Sequence, residues 1–392
     1  MRMCDALGLP PMNKRDFIRY CFLGASGLAL GSSRLDSLSK LILDHRAFVS
    51  AGDGPGKWSK EALFYEQTNA GLKCLKCPNE CVLGLNETGI CRNRVNYEGK
   101  LYSIAYGNPC AVHVDPIEKK PLFHFLPSTR AFSIAAAGCN LRCLNCQNFQ
   151  ISQVSPRDTD NYDLMPQAVV DQCLENHCAS IAYTYSEPTT FYEYTLDTSI
   201  HAHEQKIKNV LKSSGYVNEQ PLRKLAKHLD AANIDLKSFE ESIYRNLSQA
   251  HLAPILKTLR ILKEEGVWLE ITNLVIPSWT DDLDMIKRMC DWLCAHGLSD
   301  SPLHFSRFIP LYRLPQLPVT PLSTLEKARD IALRAGVKFV YLGNIPGHEA
   351  ENTYCPKCRK MIVERRGFTI LANYIVGNKC SFCQEPIPGI WT

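Results

Sequence analysis

Cys139, Cys143 and Cys146 fall within the run Gly138–Asn148, directly after the apolar, strand-like stretch Ala131–Ala137. The C-x3-C-x2-C spacing puts three thiolates on one short loop, enough to hold three irons of a [4Fe–4S] cube. The fourth iron then lacks a protein ligand and can be chelated by a small molecule. Zinc is the competing occupant. Zinc sites pair their cysteines as C-x2-C and add a fourth ligand, which this loop does not offer nearby.

The chain has 18 cysteines in 392 residues, and most lie in three tight groups at 74–91, 139–146 and 355–383. A secreted disulfide scaffold is normally short and does not repeat C-x2-C pairs, so metal binding in a reducing compartment explains the pattern better. Cys110, Cys173, Cys178, Cys290 and Cys294 lie outside the groups and read as buried apolar residues. A net charge of +4 is spread along the chain and gives no argument for nucleic acid.

At the N-terminus, Lys14-Arg15-Asp16-Phe17-Ile18-Arg19 precedes an apolar run from Tyr20 to Leu30. This is similar to a twin-arginine export signal with Lys14 in place of the first arginine, and the run is too short to span a bilayer. A short amphipathic or core helix is the alternative. A cytoplasmic location is expected on chemical grounds, with export as the alternative.

From Ala131 onward, apolar runs alternate with helical patterns. Strands are expected at 131–137, 180–185, 208–212, 231–236, 267–276, 303–308 and 337–342, with helices at 166–177, 220–229, 251–265, 282–296 and 321–335. Such alternation predicts parallel strands with right-handed crossovers. Six or seven units are too few for an eight-fold barrel, so the expected fold is α/β, a partial (β/α) barrel, with a doubly wound sheet as second choice. Either architecture puts the chemistry at the carboxyl ends of the strands. The expected organisation is a signal-like segment and linker over 1–60, a Cys-rich module over 61–125, a core over 126–350 and a Cys4 ribbon over 351–392.

Several further residues fit that frame. Glu187, in Ser186-Glu187-Pro188-Thr189, ends the second strand, either as a site carboxylate or as a plain turn residue. Asp235 and Lys237 share a face at the end of the fourth strand, as site residues or as a structural ion pair. His304 lies on the sixth strand, where a lone histidine is more often a core residue. Cys74-x2-Cys77-x3-Cys81-x9-Cys91 offers four soft ligands, suited to zinc or to an auxiliary [4Fe–4S] cluster. Cys355-x2-Cys358 and Cys380-x2-Cys383 read as a zinc ribbon. The nearby Arg359, Lys360, Arg365 and Arg366 are too few to argue for RNA binding.

Taken together, these motifs resemble the radical S-adenosylmethionine (SAM) superfamily. More narrowly, the chain is similar to the AmmeMemoRadiSam-system radical SAM enzymes, relatives of pyruvate formate-lyase activating enzymes. The resemblance runs over about residues 70–390, through Cys74-x2-Cys77-Pro78, Asp115–Leu122, Gly138–Asn148, Tyr183–Thr189, Asp235-Leu236-Lys237, His304–Phe308, Val340–Asn344 and Thr353–Cys358. It departs at Asn145, where many members have an aromatic residue. It departs again at Tyr185-Ser186, where Gly-Gly is common, and at Ser213-Ser214-Gly215-Tyr216, where relatives tend to read Thr-Asn-Gly-Tyr.

The resemblance implies reductive cleavage of SAM to a 5′-deoxyadenosyl radical that abstracts hydrogen from a substrate. It implies cofactor contacts from Glu187, Asp235, Lys237 and His304. It also implies a low-potential electron donor of flavodoxin or ferredoxin type, and a protein substrate or AMMECR1-like and Memo-like partners. The alternatives are a modifier of RNA or a small molecule, or a non-catalytic electron carrier or zinc module, for which Cys110 is a candidate fourth ligand.

Overall fold

The strand–helix alternation after residue 130 builds seven strands of one eight-stranded sheet in the computed structural model, which describes residues 55–392. The export-like segment lies outside the described residues, as does most of the expected linker. Ahead of the main sheet, six short strands form two small sheets. Lys60–Glu61 (β1) pairs with Lys100–Ser103 (β6), which pairs with Arg94–Tyr97 (β5); Tyr65–Thr68 (β2), Gly71–Cys74 (β3) and Val82–Leu83 (β4) form the other. Their turns carry Cys77, Cys81 and Cys91.

The main sheet begins with Ala111–Pro116 (β7), antiparallel to Arg130–Ala135 (β8). The segment expected to belong to the Cys-rich module through residue 125 thus contributes an edge strand to the core sheet. Parallel strands follow at Ser180–Tyr183 (β9), Lys208–Ser213 (β10), Ala231–Asp235 (β11), Trp268–Val275 (β12), Leu303–Arg307 (β13) and Val340–Gly343 (β14). Their spatial order is sequential from β7 to β14, with no reversal, and the two edges do not pair. A doubly wound sheet needs a reversal in strand order; this is the open, partial barrel.

The crossovers are helices at Pro166–Glu175 (α1), Tyr192–Glu204 (α2), Glu219–Ala226 (α3), Leu252–Glu264 (α4), Leu283–Ala295 (α5) and Leu322–Ala335 (α6). Local chemistry sets their ends. Pro166 opens α1, where a missing N–H costs nothing. Asp282 caps α5 by accepting from Asp284 N (2.8 Å) and Met285 N (3.0 Å). Gly336 stops α6 at φ +106°, a conformation that favours glycine. Helix α2 has no counterpart among the expected helices. Its sequence, YEYTLDTSIHAHE, buries Glu193, Thr195, Thr198 and Ser199 together with Tyr192 and Leu196, so no apolar stripe marks it.

The C-terminal strands Thr353–Tyr354 (β15), Met361–Arg366 (β16) and Thr369–Asn373 (β17) make a small sheet, followed by the pair Ile375–Val376 (β18) and Lys379–Cys380 (β19). This ribbon shares an apolar core with the amino ends of the last barrel strands: Phe123, Phe339, Tyr341, Ile362, Val363 and Trp391. The tail runs beside 124–126, with Leu126 N donating to Ile390 O (2.6 Å) and Ile390 N to His124 O (2.8 Å). Arg365, counted above among the four cations near the ribbon, is buried: it donates to Thr353 Oγ1 (2.6 Å) and Phe123 O (2.8 Å).

Candidate metal centre

Strand β8 delivers the three-cysteine loop to the carboxyl end of the sheet. Neighbouring backbone then pins the loop. Gly138 N donates to Ile151 O (2.8 Å), Arg142 N to Ser248 O (3.0 Å) and Leu144 N to Leu247 O (2.9 Å). The last two acceptors belong to a π-helical turn, Tyr244–Ser248, a rare geometry that concentrates at functional sites. Asn140 Nδ2 adds a bond to Tyr216 O (2.7 Å).

The three thiols gather around one another. Burial pushes the Cys139 thiol well up, reinforced by the nearby Glu187 carboxylate, Cys143 and Cys146. Burial likewise pushes Cys146 up to about 11. Leu141 N donates to Cys139 Sγ (3.4 Å), while Cys143 Sγ faces Ser248 Oγ (3.3 Å). Cys110, the candidate fourth ligand, instead donates its thiol to Ala135 O at 3.5 Å.

The structure places Glu187 beside Cys139 and buries it. Its Oε1 accepts from Ser213 Oγ (2.7 Å), Thr189 Oγ1 (2.9 Å) and Thr189 N (3.2 Å); its Oε2 accepts from Ser214 Oγ (2.6 Å) and Ser214 N (2.8 Å). Glu187 is therefore no solvated turn residue. Ser213 and Ser214, a point of departure from the resemblance, are residues that hold it.

Asp235 sits between two lysines. It binds Lys237 Nζ at 2.9 Å and pairs more closely with Lys212, a partner on β10 that the sequence reading missed. Burial opposes the charges, but the two ammonium groups hold the Asp235 carboxyl well below the usual range. Lys237 in turn faces Cys143 and Cys146, which brings this ion triad to the rim of the cysteine loop.

His304 is placed differently. It lies on the second residue of β13, near the amino end of the strand, and is 3% exposed. Its Nε2 is 2.6 Å from Glu270 Oε2, and its ring packs against Phe123 and Tyr341. Glu270 also accepts from Phe123 N (3.0 Å) and His124 N (2.8 Å). Of the two readings, cofactor contact or core residue, the structure places His304 in the core, on the barrel floor. A β-strand pattern gives the face of a residue but not its depth along the barrel, and depth separates the two roles.

A second cluster missed in the sequence joins Asp115, Lys119, Lys120 and Tyr185. Asp115 binds Lys119 (2.9 Å) and Lys120 (2.5 Å), the Tyr185 hydroxyl donates to it, and Lys120 lies over the Tyr185 ring. Only the tertiary fold unites a strand on the edge of the sheet with Tyr185, two residues past β9. Tyr185 stands at φ +62°, a left-handed conformation uncommon for a bulky residue.

Two observations fit the donor set to an iron–sulfur cube with an adenosyl ligand. The three sulfurs are not within 4.8 Å of one another, as thiolates on a single ion would be, whereas a cube seats each on its own iron. Asn145 Oδ1, beside Cys146, is buried without a donor, a state that costs about 1–3 kcal/mol unless a ligand satisfies it. A cavity of about 280 Å³ lies elsewhere, between α6, β14 and the ribbon.

A three-cysteine loop at the carboxyl ends of a partial barrel defines a class, and the chain belongs to the radical SAM superfamily. The model of that superfamily matches residues 133–293, from inside β8 to inside α5. An uncharacterized protein of Methanocaldococcus jannaschii is 42% identical over 331 residues, which is 84% of this chain and 98% of that protein. The pyruvate formate-lyase 1-activating enzyme of Escherichia coli K12 is 24% identical over 156 residues, 39% of this chain and 63% of that enzyme. Among solved structures, Streptococcus suis SuiB bound to S-adenosylmethionine aligns with a TM-score of 0.44 at 14% identity, over 61% of this chain and 56% of that one.

Proposed function

We propose that this chain is a radical SAM enzyme in which Cys139, Cys143 and Cys146 hold a [4Fe–4S] cluster. When bound, the cluster and SAM supply radical hydrogen abstraction; the protein supplies binding, orientation and exclusion of water. The observation that supports this most is the burial of Glu187 beside a loop that offers three thiolates and no fourth. Three of its five hydrogen bonds come from hydroxyls, which rotate. The SAM ammonium group can therefore replace one of them without leaving a buried donor stranded. Lys237, held by Asp235, presents a positive charge to the loop and offsets the charge of the thiolates. Asn145 Oδ1 is the acceptor assigned to an adenine amino group.

The substrate is proposed to be a residue of a partner protein, by analogy with the activating enzyme. The unpaired edges of β7 and β14 favour it, because an open sheet leaves room for a chain to reach the interior. The electron donor is proposed to be of flavodoxin or ferredoxin type. For the C-terminal set we propose zinc. Cys355 and Cys383 sulfurs lie 3.6 Å apart and those of Cys358 and Cys380 lie 3.8 Å apart, matching the roughly 3.8 Å edge of a tetrahedron with 2.3 Å Zn–S bonds.

Electron paramagnetic resonance of the anaerobically reconstituted, reduced protein tests the reading. Addition of SAM should shift the signal that depends on Cys139, Cys143 and Cys146. A signal from these cysteines that ignores saturating SAM contradicts it.

A further inference from the structure

We infer that Cys74, Cys77, Cys81 and Cys91 hold a second [4Fe–4S] cluster, ligated by four protein thiolates and packed against the three-cysteine loop. The four side chains line one cavity together with Lys76 and Arg94. None of the four is in a disulfide.

Spacing separates iron–sulfur from zinc. Among the described residues, only the C-terminal cysteines draw their sulfurs within 4.8 Å of one another. No three of the N-terminal sulfurs do so, and neither do the three cysteines of the radical SAM loop. Both of these sets are wider than one ion can hold at about 2.3 Å per bond, and both suit a cube whose ligands sit on separate irons. The same chain thus contains a compact, zinc-like set and two wider ones.

Charge supports four ionised, metal-bound thiolates at this site. Lys76 is fully buried, its ammonium meets only the Thr190 carbonyl at 3.4 Å, and no carboxylate pairs with it among the described residues. A buried ammonium needs a counter-charge, and a cube with four thiolates supplies one. Arg94 is neutralised by Glu193 through bonds of 2.7 and 2.9 Å, so it leaves that charge for Lys76.

Contacts tie the two sites together. A Cβ on Gly138 would come to 2.5 Å of the Cys91 carbonyl oxygen and collide with Asn93 Oδ1. Asn79 Nδ2 donates to Asn140 O (2.8 Å), and Asn93 Nδ2 donates to Thr190 Oγ1 (3.0 Å), which donates to Glu187 O (2.8 Å). A cube with four protein ligands has no open iron. It can store and pass one electron but cannot chelate SAM.

Metal content of the full chain, purified without oxygen, tests this. The expected result is about eight irons and one zinc per chain, with iron halved in the Cys139→Ala/Cys143→Ala/Cys146→Ala variant. The iron left in that variant should show a reduced-state resonance that does not respond to SAM. About four irons and two zincs in the wild-type chain, with no iron left in the triple variant, would overturn the proposal. The wild-type ratio decides the matter even if the variant fails to fold.

Discussion

The backbone of Gly138 lies directly against the carbonyl of Cys91, with φ +102° and no space for a side chain. This glycine joins the N-terminal cysteine module to the cluster loop, beside the bond from Asn79 Nδ2 to Asn140 O. Gly138→Ala combines backbone strain of about 1–3 kcal/mol with a collision against backbone that cannot yield. The expected outcome is a lower urea midpoint and loss of iron from both cysteine sets, read by unfolding and metal analysis.

Glu187→Gln keeps the shape of the side chain but removes its charge and one acceptor oxygen. SAM affinity should fall about 10- to 100-fold, equivalent to about 1.4–2.8 kcal/mol, while iron content stays near that of the wild type. Equilibrium binding by calorimetry under anaerobic conditions measures it. Unchanged affinity would remove Glu187 from the SAM site.

Asp235→Asn leaves Lys212 and Lys237 facing each other without a counter-ion. Because Asp235 keeps 29% of its side chain exposed, the cost falls below that of a sealed pair, at about 1–3 kcal/mol. Chemical denaturation should show the loss, and Asp235→Asn combined with Lys212→Met should recover part of it.

The barrel floor predicts a pH dependence. Burial lowers His124 to about 4 and lowers His304 below its usual value, so both are neutral in the folded state. The unfolded chain protonates them near pH 6.5, and there it binds more protons than the folded one. Stability is therefore full above about pH 6.5 and falls as the pH drops toward 4. Although burial opposes it, the hydrogen bond from His304 lowers Glu270, which adds the same sign below its ordinary value of 4.5. Melting temperatures at pH 7.5 and 5.5 should differ, and the difference should shrink in a His124→Gln variant.

Removal of the ribbon metal should loosen this floor. Cys355 and Cys380 belong to the apolar core that contains Phe123 and Tyr341. Cys358→Ser is expected to lose about one zinc per chain and to lower the melting temperature. An unchanged melting temperature would mean that the ribbon does not support the barrel.

Much of this was legible from local pattern. The seven parallel-barrel strands and five of the six crossover helices follow from apolar runs and periodicity, and sequential alternation implied the partial barrel. The cysteine spacings marked the three sets that the fold brings together. What escaped the sequence depends on distant partners. Helix α2 hides because it buries Glu193 against Arg94. Strand β7 joins the sheet only through β8. Lys212 and the Asp115–Tyr185 cluster become visible once strands align, and the place of His304 near the floor depends on its depth along β13.

Formation of 5′-deoxyadenosine tests the central claim most directly. The reconstituted full chain, given SAM and dithionite without oxygen, should release 5′-deoxyadenosine and methionine, detected by mass spectrometry, and Cys143→Ala should release neither. A protein with a fully loaded cluster that leaves SAM intact would contradict the account.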